Sequence, residues 1–188
     1  LGDCRRPVVV TGSQRALHET GSDAPRNLVD AIRVASAPES RGQGVLVVFD
    51  EEIHSAALVR KVSSYRLTGF GSPGYGPIGQ IDGAALRYAL RARPAEPVAR
   101  GEVMPRVDIL TAAIGATCLI DAAIADGARG LVIDALGRGQ VPPDWVPAIA
   151  RASAADIPIA VTSSTGSGPV RTVYEYTGSL DSIIAVGA

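Results

Sequence analysis

Three consecutive β-branched residues, Val8, Val9 and Val10, closed by Thr11 and Gly12, constrain the fold more than any other feature of this chain. A run apolar at every position suits a strand covered on both faces, the kind found inside parallel sheets. A polar loop follows, and then Asp23 and Pro25, residue types that open helices. Leu28, Ile32 and Ala35 recur on one helical face, which Val29 and Ala31 widen, so this stripe is expected to face the core. After a Ser/Gly-rich break at residues 40–44, residues 45–49 form a second apolar run. Strand, helix and strand in that order make a βαβ unit with a right-handed crossover, and ligands of such sheets gather at strand C-terminal ends. Because a fully buried strand stands so close to Leu1, the sequence reads as a fragment whose sheet has earlier strands elsewhere.

Beyond Asp50 the pattern shortens, and Ile53 and Val59 suit a hairpin or an irregular extension. Residues 69–83 are too rich in glycine and proline for a helix. Gly69, Gly71 and Gly74 meet the spacing G-x-G-x-x-G, but that fingerprint must open a helix, and Pro73, Gly74, Tyr75, Gly76 and Pro77 forbid one. A turn-rich surface loop is expected there instead. Residues 91–105, with Pro94, Pro97 and Pro105, read as an interdomain linker. A second α/β pattern follows, with strands at residues 107–111, 130–133, 157–161 and 183–186. Helices are expected within residues 119–125 and from the Pro142-Pro143-Asp144 signal to about residue 152.

Composition narrows the function classes. With 18 Lys+Arg against 19 Asp+Glu the formal charge is -1, which argues against nucleic-acid binding. No apolar run approaches the roughly 20 residues of a membrane helix. Cys4 and Cys118 form no Cys-x-x-Cys pair and are expected to be small buried residues, without a metal site. His18 and His54 belong to no metal or nucleophile motif and are read as polar surface or loop residues, and Trp145 as a packing anchor. Residues 163–168 form a Ser/Thr/Gly loop at a strand end, either an ordinary turn or a set of backbone donors for a ligand. One residue stands apart: of the 18 basic residues only Lys61 is a lysine. Arginine is effectively always protonated, whereas a lysine can give up its proton and act as a base, so proton transfer would forbid the arginine used everywhere else. Chance survival of a single lysine is the alternative.

The segment Pro7-Val8-Val9-Val10-Thr11-Gly12-Ser13-Gln14-Arg15, followed by Gly21-Ser22-Asp23-Ala24-Pro25-Arg26-Asn27-Leu28, resembles the bacterial type L-asparaginases and glutaminase-asparaginases. The likeness runs through Gly44-Val45-Leu46-Val47-Val48-Phe49-Asp50 to Lys61, then Phe70, Ser72-Pro73 and Gly76-Pro77-Ile78-Gly79. In the second half it is carried by Gly127-Ala128-Arg129-Gly130-Leu131-Val132, by Gly137-Arg138-Gly139-Gln140-Val141-Pro142 and by Ile157-Pro158-Ile159-Ala160-Val161-Thr162-Ser163-Ser164.

That resemblance implies an α/β fold: residues 1–90 as the remainder of a Rossmann-like or flavodoxin-like N-terminal domain with a parallel sheet, residues 91–105 as linker, and residues 106–188 as a smaller C-terminal α/β domain. It implies an amidohydrolase that turns L-asparagine, and in many members L-glutamine, into the acid and ammonia without metal or organic cofactor. A threonine outside this sequence would be the nucleophile, and Lys61 the amine of a threonine-aspartate-lysine set that handles its proton. Ser13 is implied to line the substrate pocket through its backbone, and Gln14 to shape it. A homodimer or homotetramer is implied for the full-length protein. Ala16 stands where the family has proline, Thr117 where it often has aspartate, and Thr165 where it has arginine, while Glu175 is implied to approach a partner's site. A non-catalytic amino-acid-binding module, using the loops after Gly12 and Val161, is a competing reading. So is the asparaginase-like subunit of a tRNA-dependent amidotransferase.

Overall fold

A computed structural model describes residues 6–92, 101 and 103–188, so Cys4 and most of the expected linker, including Pro94 and Pro97, lie outside the described residues. The chain divides into two compact units, Leu1–Arg100 and Gly101–Ala188. Both are α/β.

In the first unit, strand β1 (Val8–Val10) leads into helix α1 (Ala24–Ser36) and then into β2 (Val45–Phe49). The two strands pair in parallel with Val8 opposite Val45, as a βαβ unit requires. From there the sheet turns antiparallel. β3 (Glu52–Ser55) folds straight back on β2, a two-stranded ribbon of β4 (Arg60–Lys61) and β5 (Phe70–Gly71) intervenes, and β6 (Gly79–Asp82) and β7 (Ala85–Tyr88) complete the order β1-β2-β3-β6-β7. Val34 of α1 meets Leu46, Val48, Ile53, Ile78 and Ile81 of this sheet region in one apolar core.

Helix α1 presents a different face from the one its apolar spacing suggests. Leu28, Val29, Ile32 and Ala35 are exposed, whereas Asn27, Asp30, Ala31 and Val34 are buried. Polar groups set the rotation. The Asn27 amide donates to the Gly12 carbonyl and its oxygen accepts from the Asp50 N–H, while buried Asp30 receives Arg26 Nε at 2.5 Å and Arg33 Nη1 at 3.0 Å. Turning Leu28 and Ile32 inward would strand those partners in an apolar setting, at a cost of about 1–3 kcal/mol for each unsatisfied group.

The second unit carries three parallel strands, β8 (Val107–Thr111), β9 (Gly130–Ala135) and β10 (Ile159–Ser163), in the order β10-β9-β8. Helices α2 (Ile120–Ala125) and α3 (Val146–Ala154) alternate with them, and α4 (Leu180–Ile184) follows. Trp145, at the entry to α3, is buried among Ile120, Ile133 and Ile149, and its ring N–H donates to the Ala116 carbonyl. Residues 183–186, expected as a strand, contribute instead to α4 and the turn after it. Ser179 caps that helix by accepting from the Ser182 N–H, and Leu180 and Ile183, three residues apart, bury the same face. Four apolar-rich residues carry no periodicity of their own, and the cap decides between helix and strand. No helix among the described residues is long and apolar enough to cross a membrane.

The β2–β3 turn is strained. Asp50 and Glu51 both adopt positive φ, 47° and 64°, as a two-residue turn between twisted strands demands, although neither is glycine. Left-handed backbone costs an L-residue about 1–2 kcal/mol. Glu51→Gly should therefore raise the urea midpoint, with a gain of about 1 kcal/mol; an unchanged or lower midpoint would show that the turn carries no such strain.

Candidate active site

β1 and β2 run side by side in the same direction, and the loop at residues 11–23 leaves from the C-terminal end of β1. Its shape is held by one carboxylate. Asp23 stands at the start of α1 but makes no side-chain cap. It reaches back and accepts from the Gln14 N–H at 3.1 and 3.0 Å, the Arg15 N–H at 3.0 Å and the Asn27 amide at 2.8 Å. Burial pushes its pKa upward, but the amides of Gln14, Arg15, its own N–H and Asn27 outweigh that and hold the carboxyl below the ordinary 3.8. Thr11 adds a bond from Oγ1 to the Val48 carbonyl at 2.7 Å.

Lys61 meets this loop directly. Its Nζ donates to Gln14 Oε1 at 2.6 Å. The contact is backed by aromatic rings: Nζ lies 5.5 Å from the centre of the Phe70 ring, and Phe70 stacks on Phe49, centroids 4.3 Å apart. Phe49 in turn sits under Gly12, where an added Cβ would come within 3.3 Å of its ring. Of the three residues singled out from sequence, Lys61 and Gln14 are thus in contact, and Ser13 is exposed on the same loop immediately before Gln14.

Three further participants are not evident from sequence reasoning. Asp23 is legible there only as a helix start, because the amides it accepts from belong to the backbone and have no sequence identity. Asn27 carries no signal within an apparently apolar stripe. Gly69, expected in a surface loop, is buried, and a Cβ there would fall 1.6 Å from Gln14 Nε2.

His54 also corrects an expectation. It lies on β3, 1% exposed, not at the surface. Nδ1 is 3.0 Å from Ser72 Oγ, while Nε2 is 3.2 Å from Glu52 Oε2 without hydrogen-bond alignment. Burial drives its pKa below 6.5 despite the carboxylate of Glu52. Ser72 is itself buried, so this trio ties β3 to the turn beyond β5 and offers no accessible nucleophile. His18, by contrast, is exposed.

In the second unit the loop after β10 is closed by its own hydroxyls. Ser163 Oγ donates to the Gly137 carbonyl at 2.5 Å and contacts Thr165 Oγ1 at 2.8 Å, and Thr165 Oγ1 donates to the Ser167 carbonyl. Cys118, partly buried, is a free thiol.

Comparison with known proteins gives this geometry a context. Residues 1–93 match the model of the asparaginase N-terminal domain, and residues 106–187 that of the glutaminase/asparaginase C-terminal domain. The chain belongs to the asparaginase family. It is 38% identical over 175 residues to an L-asparaginase of Bacillus licheniformis, covering 93% of this chain and 54% of that protein. A probable L-asparaginase of Deinococcus radiodurans is 40% identical over 187 residues, covering 97% of this chain and 56% of the relative. A glutamyl-tRNA(Gln) amidotransferase component from Methanosarcina acetivorans is 30% identical over 178 residues, covering 87% of this chain and 41% of that relative. The chain spans about half the length of the first two relatives.

Two acid sensitivities follow, with windows that do not coincide. His54 has a folded pKa below its unfolded one, so the unfolded chain takes up the proton first and stability declines as pH falls below about 6.5. Asp23 also has a lowered folded value, so its contribution is complete above the unfolded carboxylate pKa near 3.8 and disappears as pH falls through the lower folded one. Denaturation across pH should show the first slope removed by His54→Gln and the second by Asp23→Asn. At pH 7, Asp23→Asn is expected to cost about 2 kcal/mol, since buried amides lose a charged acceptor. A variant curve parallel to wild type through the respective window would contradict the assignment.

Proposed function

We propose that this chain supplies part of an asparaginase-type amidohydrolase that converts L-asparagine, with L-glutamine as second substrate, into the acid and ammonia. The observation that carries the proposal is the placement of the chain's single lysine: Lys61 Nζ reaches the loop at the C-terminal end of β1 and is held there by Gln14. Strand C-terminal ends are where α/β sheets receive ligands. Matches to both asparaginase domains, and relatives named L-asparaginase, support the same reading.

In this reading a threonine outside these 188 residues attacks the amide carbon. Lys61 receives the hydroxyl proton through a second threonine and an aspartate that are likewise outside the chain, and the proton is passed on to the departing ammonia. Water then hydrolyses the acyl-threonine ester, releasing aspartate and restoring the hydroxyl. Ser13 lines the amide pocket through its backbone and Gln14 shapes it. Residues 1–90 belong to the N-terminal domain, residues 91–105 are the linker, and residues 106–188 belong to the C-terminal domain. The full-length protein is a homodimer or homotetramer.

A second reading, in which the chain is part of an amidotransferase component that frees ammonia from glutamine for a partner, rests on the glutamyl-tRNA(Gln) amidotransferase relatives. Their 30–31% identity against 38–40% favours the hydrolase.

Ammonia release from L-asparagine tests the proposal. A version extended to the length of the relatives should turn over, and Lys61→Ala within it should lower kcat by roughly 10²- to 10⁴-fold. The 188-residue chain alone should release none. Turnover by the short chain, or an extended Lys61→Ala enzyme at full rate, would refute it.

A further inference from the structure

We propose that Gln14 is a positioning residue for the Lys61 amine, acting as a two-sided clamp whose carbonyl oxygen holds the amine and whose nitrogen ties it to the loop after β4. This goes beyond, and rests on, the reading of Lys61 as the amine of the site; it redefines Gln14, expected to shape the substrate pocket, as a residue that works through the lysine.

Both ends of the Gln14 amide are engaged. Its oxygen accepts from Lys61 Nζ at 2.6 Å, and its nitrogen donates to the Arg66 carbonyl at 2.8 Å and the Ser63 carbonyl at 3.3 Å. The orientation of the amide follows from these partners: reversed, it would set its NH2 against an ammonium and its oxygen against two carbonyls. Glutamate keeps the acceptor and loses the donors; methionine and leucine lose both. The clamp therefore joins the amine to the loop that separates β4 from β5, while the Gln14 backbone N–H is fixed independently by Asp23.

The space around the clamp is built for it. Gly69 is buried, and a Cβ there would stand 1.6 Å from Gln14 Nε2 and 2.8 Å from the Arg66 carbonyl. The Val62 and Ser63 N–H groups donate to the Gly69 carbonyl at 2.8 and 3.2 Å, which closes the loop around the inserted amide. Lysine has a flexible four-carbon stem and is costly to hold in one rotamer. Lys61 is exposed as a residue, so packing alone does not immobilise it; the carbonyl of Gln14 and the ring of Phe70 define where its amine sits.

The test uses the fact that Lys61 is the only lysine. In the 188-residue chain labelled with ¹³C-lysine, one Cε methylene signal reports this side chain. A held lysine shows two distinct Hε shifts and restricted motion, and an unheld one shows a single averaged shift. Wild type should give the split pattern, and Gln14→Leu the averaged one, with the backbone amides of Lys61 and Phe70 unmoved. Should the β4–β5 pairing itself melt in Gln14→Leu, Gln14→Glu decides, since it retains an oxygen facing the amine. A split Lys61 signal there supports the clamp, and an averaged one overturns it. An averaged signal in wild type, or a split signal unchanged by Gln14→Leu, also overturns it. These outcomes read only the coupling of Gln14 to Lys61, so they are separable from the ammonia assay that tests whether Lys61 is catalytic.

Discussion

The carboxylate of Asp23 is the interaction on which the candidate site depends. It collects the Gln14 and Arg15 amides and the Asn27 side chain. Without an acceptor there, two backbone N–H groups of a loop rich in polar residues would turn to water. Because Gln14 is placed from its backbone, its side chain is free to do two other things, accepting from Lys61 and donating into the loop after β4. The order of dependence runs from helix start to loop, from loop to glutamine, and from glutamine to lysine.

Aromatic packing supplies the other half of the arrangement. Phe49 ends β2, Phe70 opens β5, and their stacked rings connect the central sheet to the small ribbon that carries Lys61. Gly12 lets the loop pass close over Phe49. A site built this way is stiff on two sides: hydrogen bonds fix the loop, and ring packing fixes the ribbon. Preorganisation of that sort is what a proton-transfer group needs, since an amine free to sample solvent spends most of its time out of reach of its partner.

How much of this is legible in the sequence depends on whether the signal is a side-chain pattern or a spatial coincidence. The strands at residues 8–10, 45–49 and 107–111, and residues 130–133 of the strand that runs on to 135, are visible as apolar runs, and the helix after Pro143 from its start signal. Helix α1 is visible as a helix, but its buried face is not. The apolar stripe of Leu28, Ile32 and Ala35 is outward, and the rotation is set by Asn27 and Asp30, whose partners Gly12, Asp50 and Arg33 reveal nothing of their geometry in one dimension. The burial of His54 has the same origin: an antiparallel return of β3 against β2 carries it inward opposite Val47. Lys61 is conspicuous because it is solitary, whereas Gly69 is one of 21 glycines and is distinguished by the Gln14 side chain and the Arg66 carbonyl packed against it in space.

Native-state hydrogen exchange at the Gln14 and Arg15 amides reads directly whether the Asp23 carboxylate anchors the loop. Both lie on a loop whose neighbours at residues 16–20 are exposed, so only the Asp23 carboxylate distinguishes them. Protection of these two amides by at least roughly tenfold over the exposed loop, abolished in Asp23→Ala while α1 amides stay protected, is the expected result. Exchange of both at the rate of their exposed neighbours in the wild-type chain would contradict this, because the Asp23 carboxylate would then not hold the Gln14 backbone from which the side chain reaches Lys61.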